Sequence, residues 1–352
     1  MTPRRRQSNR PLSLVPSEWP KADRWAWEDA CRPGASRLKP GGRASHLAKA
    51  SRDNLERKYG GFLKFLQLTD RLETNAAAAA QVTPANTEAY IKELSPRVLP
   101  VSVYTYICCL RQTAQLLAPA HDFSWLVEIE RDLTLGVEPR SKFNRLVFSE
   151  RLVEAGLALI IEGIESAKSD LARAVGVRNG LMVALLAFCP IRPKNFAALE
   201  IGTTFKAIHG RWWIDLPSIT TKNRRPDKRR VPECLNRYIE IYLTQARPVL
   251  LRSGLATNAL WISKNGRPIS GVRLCEMVSK ATFETLGVSI SPHLFRTCAA
   301  TTAATYGGNT PHLASALLNH SDPRTADEHY NRASSISASK IYAEITAGFL
   351  RE

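Results

Sequence analysis

A break in the hydrophobic pattern at residues 135–147 most constrains the fold of this chain. The segment Leu135-Gly136-Val137-Glu138-Pro139-Arg140-Ser141-Lys142 combines glycine, proline and charge, which interrupts helical periodicity. Apolar residues recur at helical spacing on both sides of this segment, and 352 residues are enough for two domains with a sizeable core in each. We therefore predict a linker at 135–147 between two domains.

The region before the linker, residues 45–134, is predicted to be a small helical bundle. An amphipathic stripe at i, i+3, i+4 and i+7 is formed by Tyr59, Phe62, Leu63 and Leu66. Thr83 followed by Pro84 is typical of a helix start, and Ser102 and Ser124 are candidate caps of two further helices. Four short helices are expected in this region.

Residues 1–44 differ from the bundle in composition. They are rich in Arg, Pro and Gly, contain Trp19, Trp25 and Trp27, and show little periodicity. We predict a flexible basic arm with one short helix near Trp25. Contact with phosphates and a tail without a role both remain open for this arm.

The region after the linker, residues 148–352, is predicted to be mostly helical with one small sheet. An apolar helix is expected over roughly Leu171–Phe188. Three strands are predicted, with a turn of Asn223, Pro226 and Asp227 between the last two: Trp212–Leu216, Ile219–Lys222 and Arg229–Val231. The predicted fold class is mainly α with a small antiparallel β-sheet (α+β).

Charge and cysteine usage restrict the partners and the compartment. Lysine and arginine number 49 against 32 acidic residues, a formal net charge of +17, which favours a polyanion such as DNA or RNA. A ribosomal or merely basic protein is the alternative on charge alone. The seven cysteines include no CxxC pair, so we expect reduced thiols in a cytoplasmic protein and no structural zinc.

The sequence has no clear targeting or membrane signal. The start, Met1-Thr2-Pro3-Arg4-Arg5-Arg6, lacks the apolar core of a signal peptide. No run of about 18 uninterrupted apolar residues is present, so we predict no membrane span.

Six residues of the second region form an inventory for attack on a phosphodiester by a protein nucleophile. They are Arg192, Lys222, His293, Arg296, His320 and Tyr330. Guanidinium groups hold anionic oxygens, a phenol is a nucleophile, and the remaining groups move protons or steady charge. No obvious metal cage accompanies them.

The setting of His293 and Arg296 favours an anion site. Ser291-Pro292 is a helix-start signal, and residues three apart share one helical face. The first turn of a helix favours an anion through its dipole and its free N–H groups. The alternative is a surface histidine and arginine without function.

The other candidates also have structural alternatives. Arg192 follows the apolar run Leu185–Ile191, so it needs a polar partner, and a salt bridge with Glu200 would satisfy it. Lys222 lies in a basic hairpin that is either solvated or placed against phosphates, and a desolvated lysine suits general-acid chemistry. Tyr330 alone would be an ordinary core or surface residue.

Taken together, these residues resemble the tyrosine recombinase (phage integrase) family. The matching stretches are Pro190-Ile191-Arg192, Thr221-Lys222-Asn223, His293-Leu294-Phe295-Arg296, Leu317-Leu318-Asn319-His320 and His329-Tyr330. They follow the family's order and approximate spacing, and the resemblance covers roughly residues 45–345. It implies a helical DNA-clamping domain at 45–134 and a catalytic domain at 148–352.

The resemblance also implies a role for each residue. Tyr330 would be the nucleophile that forms a 3′-phosphotyrosyl link, and Arg192 with Arg296 would clamp the scissile phosphate. His293 would hydrogen-bond the phosphate and help to deprotonate the phenol. Lys222 would protonate the leaving 5′ oxygen, and His320 would support the phosphate. Because the link keeps the bond energy, the reaction would need no metal, cofactor or ATP.

The sequence departs from the family pattern at three points. Asn195 stands where the family usually has an acidic residue three positions after the first arginine. Asn319 replaces the usual glycine before His320, and the spacing from His320 to Tyr330 is about one residue longer than in many members. These departures concern activity level and local geometry, because each primary catalytic group is present.

The leading hypothesis is a site-specific recombinase or integrase that acts as a homotetramer on two DNA duplexes, with accessory DNA-binding proteins as further candidate partners. A tail helix with Ile341, Ile345 and Phe349 on one face would grip a neighbouring subunit or pack in cis. The alternatives are DNA relaxation by a type IB topoisomerase, a DNA-binding protein with impaired catalysis, and a metal-dependent nuclease or transposase, which would need converging carboxylates.

Overall fold

The computed structural model describes residues 13–36, 38, 40–137, 143–252, 256–306 and 313–318. The chain divides into two compact units, an N-terminal unit of residues 1–140 and a C-terminal unit of residues 141–352. The division falls inside the segment predicted as a linker.

The described part of the N-terminal unit is a helical bundle. Its helices are α1 (Lys21–Cys31), α2 (Lys49–Leu68), α3 (Pro84–Leu94), α4 (Pro100–Leu117) and α5 (Ser124–Leu135). The four from α2 to α5 lie in the region where four were predicted. The predicted stripe on α2 is buried in the core, and Thr83 caps α3 by accepting a hydrogen bond from the Asn86 N–H at 3.2 Å.

Two predicted caps are wrong. Ser102 lies inside α4, which begins at Pro100, because proline suits the first helical position. Ser124 is the first residue of α5 rather than its cap. The Asp122 carboxylate accepts a hydrogen bond from the Ser124 N–H at 2.8 Å and thereby satisfies a donor at the start of that helix.

The segment before α2 differs from the predicted flexible arm. Trp19 and Trp27 are buried in the core of the N-terminal unit, and α1 contains Trp27. Trp19 donates its indole N–H to the Leu14 carbonyl at 3.1 Å, and Trp27 donates to Glu56 at 2.9 Å. Large aromatic surfaces with a satisfied N–H group hold this segment in place. Residues 1–12 lie outside the described residues.

The C-terminal unit is built around one long buried helix. Its helices are α6 (Ser149–Glu165), α7 (Asp170–Phe188), α8 (Pro193–Ala197), α9 (Asn236–Ile241), α10 (Arg247–Leu251), α11 (Gly271–Leu286), α12 (Pro292–Tyr306) and α13 (Leu313–Leu318), with a π-helical turn at Tyr242–Ala246. The close approach of α6 and α7 requires a glycine, because a Cβ atom at Gly156 would lie 2.5 Å from the Ala184 nitrogen. The predicted helix over Leu171–Phe188 is confirmed as α7.

By length and composition, α7 is the one helix of the described residues that could cross a membrane. Of its apolar window, 61% is buried inside the unit, which is the environment of a core helix.

A three-stranded antiparallel sheet of order β1-β2-β3 accompanies these helices. The strands are β1 (Phe205–Ile208), β2 (Arg211–Leu216) and β3 (Asp227–Arg230). In the register of β2 and β3, Leu216 is opposite Asp227 and Ile214 is opposite Arg229. The predicted α+β fold class is confirmed.

The predicted strands are only partly correct. β2 contains the predicted Trp212–Leu216, β1 was not predicted, and β3 begins two residues earlier than expected. Ile219–Lys222 is not a strand: Ser218–Thr220 form a 3₁₀-helix, and a turn follows. The Thr221 hydroxyl donates to the Arg225 carbonyl at 2.7 Å, and such local side-chain bonds compete with a sheet ladder.

Candidate active site

Arg296 is the centre of the candidate site in the C-terminal unit. The side chain lies on α12, and only 5% of the residue is exposed. Its Nη1 donates to the Pro190 carbonyl at 2.5 Å, and its Nη2 donates to the Leu318 carbonyl at 2.6 Å. Arg296 therefore joins the segment before α8 to the last residue of α13, two regions that the sequence keeps far apart.

The start of α12 explains the position of Arg296. The helix begins at Pro292, as the sequence predicts, and the Leu294 N–H donates to the Ser291 carbonyl at 2.7 Å. Arg296 and its helix neighbours Phe295, Ala299 and Ala300 are all buried. His293, one turn earlier, is exposed.

Arg192 lies two residues after Pro190, at the N-cap position of α8, and is partly buried. Among the described residues, no ion pair joins it to Glu200, which instead accepts a hydrogen bond from the Thr203 hydroxyl at 3.3 Å. The salt-bridge alternative for Arg192 is therefore wrong. Asn195, in the first turn of α8, is buried.

Positive charges converge on Arg296. Its pKa is lowered to about 10, first by burial and then by the charges of Arg192 and Arg229, while the Asp227 carboxylate acts in the opposite direction. We call Arg192, Arg229 and Arg296 the arginine cluster. Arg296 stays protonated at neutral pH, so the cluster brings together three guanidinium cations that suit an anionic oxygen ligand.

Arg229 and Asp227 were not predicted as site residues. Arg229 donates from Nε and Nη2 to the two carboxylate oxygens of Asp227 at 2.8 and 2.9 Å. The missed signal is the alternation along β3, where Asp227 and Arg229 are partly buried and Lys228 and Arg230 are exposed.

Lys222 lies in the turn between the 3₁₀-helix at Ser218–Thr220 and β3, and its side chain is exposed. Thr221, immediately before it, is buried and anchors this turn through its hydroxyl. A fixed turn with an exposed ammonium group is suited to contact with a ligand outside the unit.

His320 and Tyr330 lie outside the described residues, as do Asn319 and the predicted tail helix with Ile341, Ile345 and Phe349. Leu318, two positions before His320, is the residue whose carbonyl binds Arg296. The structure thus brings Arg192 and Arg296 together, places His293 one turn from Arg296 and leaves Lys222 exposed. No three His, Cys, Asp or Glu side chains of the described residues are grouped to hold a metal ion.

Comparison with known proteins gives a fold but no sequence relative. No protein-family model matches the sequence, and no curated protein matches it. Two solved structures of the XerH site-specific recombinase are similar to this chain, each with a TM-score of 0.54 and 15% sequence identity.

The first is a pre-cleavage complex bound to difH substrate, and the match covers 83% of this chain and 79% of that one. The second is a post-cleavage complex bound to palindromic difH substrate, with coverage of 80% and 75%. This chain therefore has the fold of the tyrosine recombinases.

Proposed function

We propose that this chain is a tyrosine-type site-specific DNA recombinase or integrase, which cuts and rejoins DNA strands through a 3′-phosphotyrosyl intermediate without metal, cofactor or ATP. The observation that supports this most strongly is the contact of Arg296 with both the Pro190 and the Leu318 carbonyls. That contact unites three of the sequence stretches on which the family resemblance rests. The recombinase fold and the net charge of +17 support double-stranded DNA as the partner.

In this proposal, the arginines hold the scissile phosphate. A guanidinium group has five N–H donors, and Arg296 uses two of them on carbonyls, which leaves three for other acceptors. Because the carbonyl bonds fix the guanidinium plane, its remaining donors need little reorganisation when the phosphate gains negative charge in the transition state. Arg192 supplies the second set of donors.

The chemical step is a transesterification. The phenol oxygen of Tyr330 attacks phosphorus, and its proton passes to a base, a role we assign to His293. The bond from phosphorus to the 5′ oxygen breaks, and Lys222 protonates that oxygen. His320 supports the phosphate. Rejoining reverses each transfer, so the number of phosphodiester bonds is conserved and no external energy is needed.

The assembly and location are predictions of the same proposal. We expect a homotetramer on paired DNA sites, in the cytoplasm and associated with the nucleoid when bound. A protein that binds DNA but has impaired catalysis, and a type IB topoisomerase, are distinguished from a recombinase by the products that each gives with DNA.

The test is covalent capture on DNA in the presence of EDTA. A duplex that the wild-type protein enriches from a randomised pool is prepared with a nick beside each candidate scissile phosphate, so that cleavage traps the adduct. We expect a denaturation-resistant protein–DNA adduct with the wild type and none with Tyr330→Phe. Tyr306→Phe, which alters an exposed tyrosine of α12, is the matched control and should retain capture.

Each other outcome has a defined meaning. An adduct that survives Tyr330→Phe places the nucleophile elsewhere, and DNA cleavage that leaves no adduct and stops in EDTA indicates a metal-dependent nuclease. Enriched DNA without any adduct supports the DNA-binding protein with impaired catalysis. Relaxation of supercoiled DNA without exchange between two sites supports the topoisomerase.

A further inference from the structure

The ion pair of Asp227 and Arg229 is unusual for its position on a highly basic strand. Only 13% and 10% of these side chains are exposed, and both N–H···O bonds of the pair are shorter than 3 Å. Residues two apart on a strand point to the same face, so the pair lies inward while Lys228 and Arg230 point to solvent. A largely buried pair of this kind is held in one geometry.

The pair lies beside the arginine cluster. The Arg229 and Asp227 charges act in opposite directions on the pKa of Arg296. They also act in opposite directions on the Cys189 thiol, whose pKa burial raises to about 12. Cys189 directly precedes Pro190, whose carbonyl binds Arg296, so the two groups on which the pair acts belong to the same junction of α12 with the segment before α8.

The cluster needs a counter-charge. Arg296 is hydrogen-bonded to two neutral carbonyls, which accept from two of its five N–H donors and do not neutralise its charge. Residue 195, in the first turn of α8 and three positions after Arg192, is an amide. Like charges that lie close together in a poorly solvated site repel one another strongly. Among the described carboxylates, Asp227 is the one whose charge acts on Arg296.

We propose that Asp227 is a positioning residue of the active site, whose carboxylate holds Arg229 next to Arg296 and offsets the mutual repulsion of the arginine cluster before DNA binds. With one carboxylate among three guanidinium groups, the cluster keeps a net charge of two for the incoming phosphate. This inference rests on the proposed function for its effect on catalysis. Its effect on the folded protein does not depend on DNA.

Asp227→Asn is expected to lower the rate of covalent capture much more than the affinity for DNA. Asp227 acts through arginines, so Asp227→Asn should leave DNA affinity within a few-fold of wild type. Displaced donors should lower the rate of covalent capture by about 10–100-fold, since misplacement of about 1 Å can cost 10²-fold. The uncompensated repulsion should also lower Tm by about 5–10 °C.

Rescue by a carboxylate at another position distinguishes counter-charge from packing. Asn195→Asp adds a carboxylate of the same shape in the first turn of α8, whose N-cap is Arg192. In the Asp227→Asn background it should restore most of the lost Tm and of the capture rate. Asp215→Asn is the matched control, because Asp215 belongs to the same sheet and pairs with Lys206 at 2.8 Å. Asp215→Asn should change the capture rate little. If it lowers Tm or the capture rate, the addition of Asn195→Asp should not restore them.

Removal of the whole pair gives a second test of charge balance. The double variant Asp227→Asn with Arg229→Gln lowers the positive charge as well as the negative charge, so its Tm should exceed that of Asp227→Asn alone. If Asp227→Asn does not fold, the proposal requires that both this double variant and the double variant with Asn195→Asp do fold.

Three results would overturn the proposal: an Asp227→Asn variant equal to wild type, no rescue by Asn195→Asp, or a double variant with Arg229→Gln that is no more stable than Asp227→Asn. Failure of the proposed function looks different, because wild-type protein would then give no adduct on enriched DNA. In that case the Tm values of the four proteins in the Asn195 and Asp227 cycle still decide the counter-charge role.

Discussion

Two arginines of the C-terminal unit, Arg178 and Arg296, are both buried, but different charges act on them. Both are at most 5% exposed, and burial is the main reason that the pKa of each is lowered to about 10. Both donate hydrogen bonds to main-chain carbonyls. Arg178, on α7, binds the Ile262 carbonyl at 2.8 Å and the Asn179 side-chain oxygen at 2.9 Å.

The difference lies in the neighbouring charges. The positive charge that acts on Arg178 belongs to Arg273, which is 62% exposed and paired with Glu276 at 2.8 Å. The positive charges that act on Arg296 are those of Arg192 and Arg229. A buried arginine alone is compatible with a structural role, since carbonyls satisfy it. A group of arginines costs folding free energy unless an anion joins them, and in the proposed function the scissile phosphate is that anion.

The largest expected effect is a loss of covalent capture in a variant of Arg296. Arg296→Lys keeps the charge but loses the planar fork that binds two carbonyls and a phosphate together. We expect the rate of covalent capture to fall about 1000-fold, the scale for loss of one transition-state donor, with DNA affinity within a few-fold of wild type. Single-turnover capture and a gel-shift titration measure the two quantities.

A parallel collapse of DNA binding would show that Arg296 is structural in the same sense as Arg178. Arg296→Ala is a less clean test: it should abolish chemistry, but it also leaves the Pro190 and Leu318 carbonyls without their donor and lowers the free energy of unfolding.

The next effect concerns stability alone. Arg178→Met removes a buried charge whose partners are neutral, so no unpaired charge is left behind. The Ile262 carbonyl loses its donor, and we expect the free energy of unfolding to fall by about 1–3 kcal/mol. Denaturant unfolding measures this change. The capture rate at a temperature well below Tm should equal that of wild type, and a loss comparable with that of Arg296→Lys would mean that Arg178 also takes part in the chemistry.

The sequence was sufficient to predict several of the elements that hold the site. The helix start at Pro292, the apolar helix α7 and the strand through Trp212 all follow from local patterns, and the structure confirms them. Local patterns could not reveal the Arg296 contacts. Its two carbonyl partners lie 106 and 22 residues away in sequence, and only the packed fold makes them neighbours.

The errors also have physical causes. Ile219–Lys222 has the composition of a strand, but Thr220 and Thr221 donate their hydroxyls to nearby carbonyls and stabilise a turn instead. Asp227 was predicted as part of the preceding turn, because an aspartate near a proline is typical of turns. Its role became visible only when β3 placed its carboxylate within 2.8 Å of Arg229.

A buried charge of the opposite sign, in the N-terminal unit, gives the smallest expected effect. Asp23 on α1 is 2% exposed and accepts hydrogen bonds from the Tyr59 hydroxyl at 3.0 Å and the Ala79 N–H at 2.7 Å. Burial raises the pKa of Asp23 above its usual 3.8, although both hydrogen bonds act to lower it. The buried charge is thus incompletely compensated, unlike a carboxylate paired with a cation.

The sign of the pH dependence follows from this raised pKa. The folded state binds the Asp23 proton more readily than the unfolded state, so the contribution of Asp23 to stability grows as the pH falls through its folded pKa and is lost as the pH rises. Asp23→Asn resembles the protonated form. The stability of this variant relative to wild type should therefore be greater at neutral pH than near pH 3.8. We expect a change smaller than that of Arg178→Met, measured by amide hydrogen exchange in α1 and α2. A difference between the two proteins that stays constant with pH would mean that the hydrogen bonds fully compensate the buried carboxylate, as the carbonyls do for Arg178.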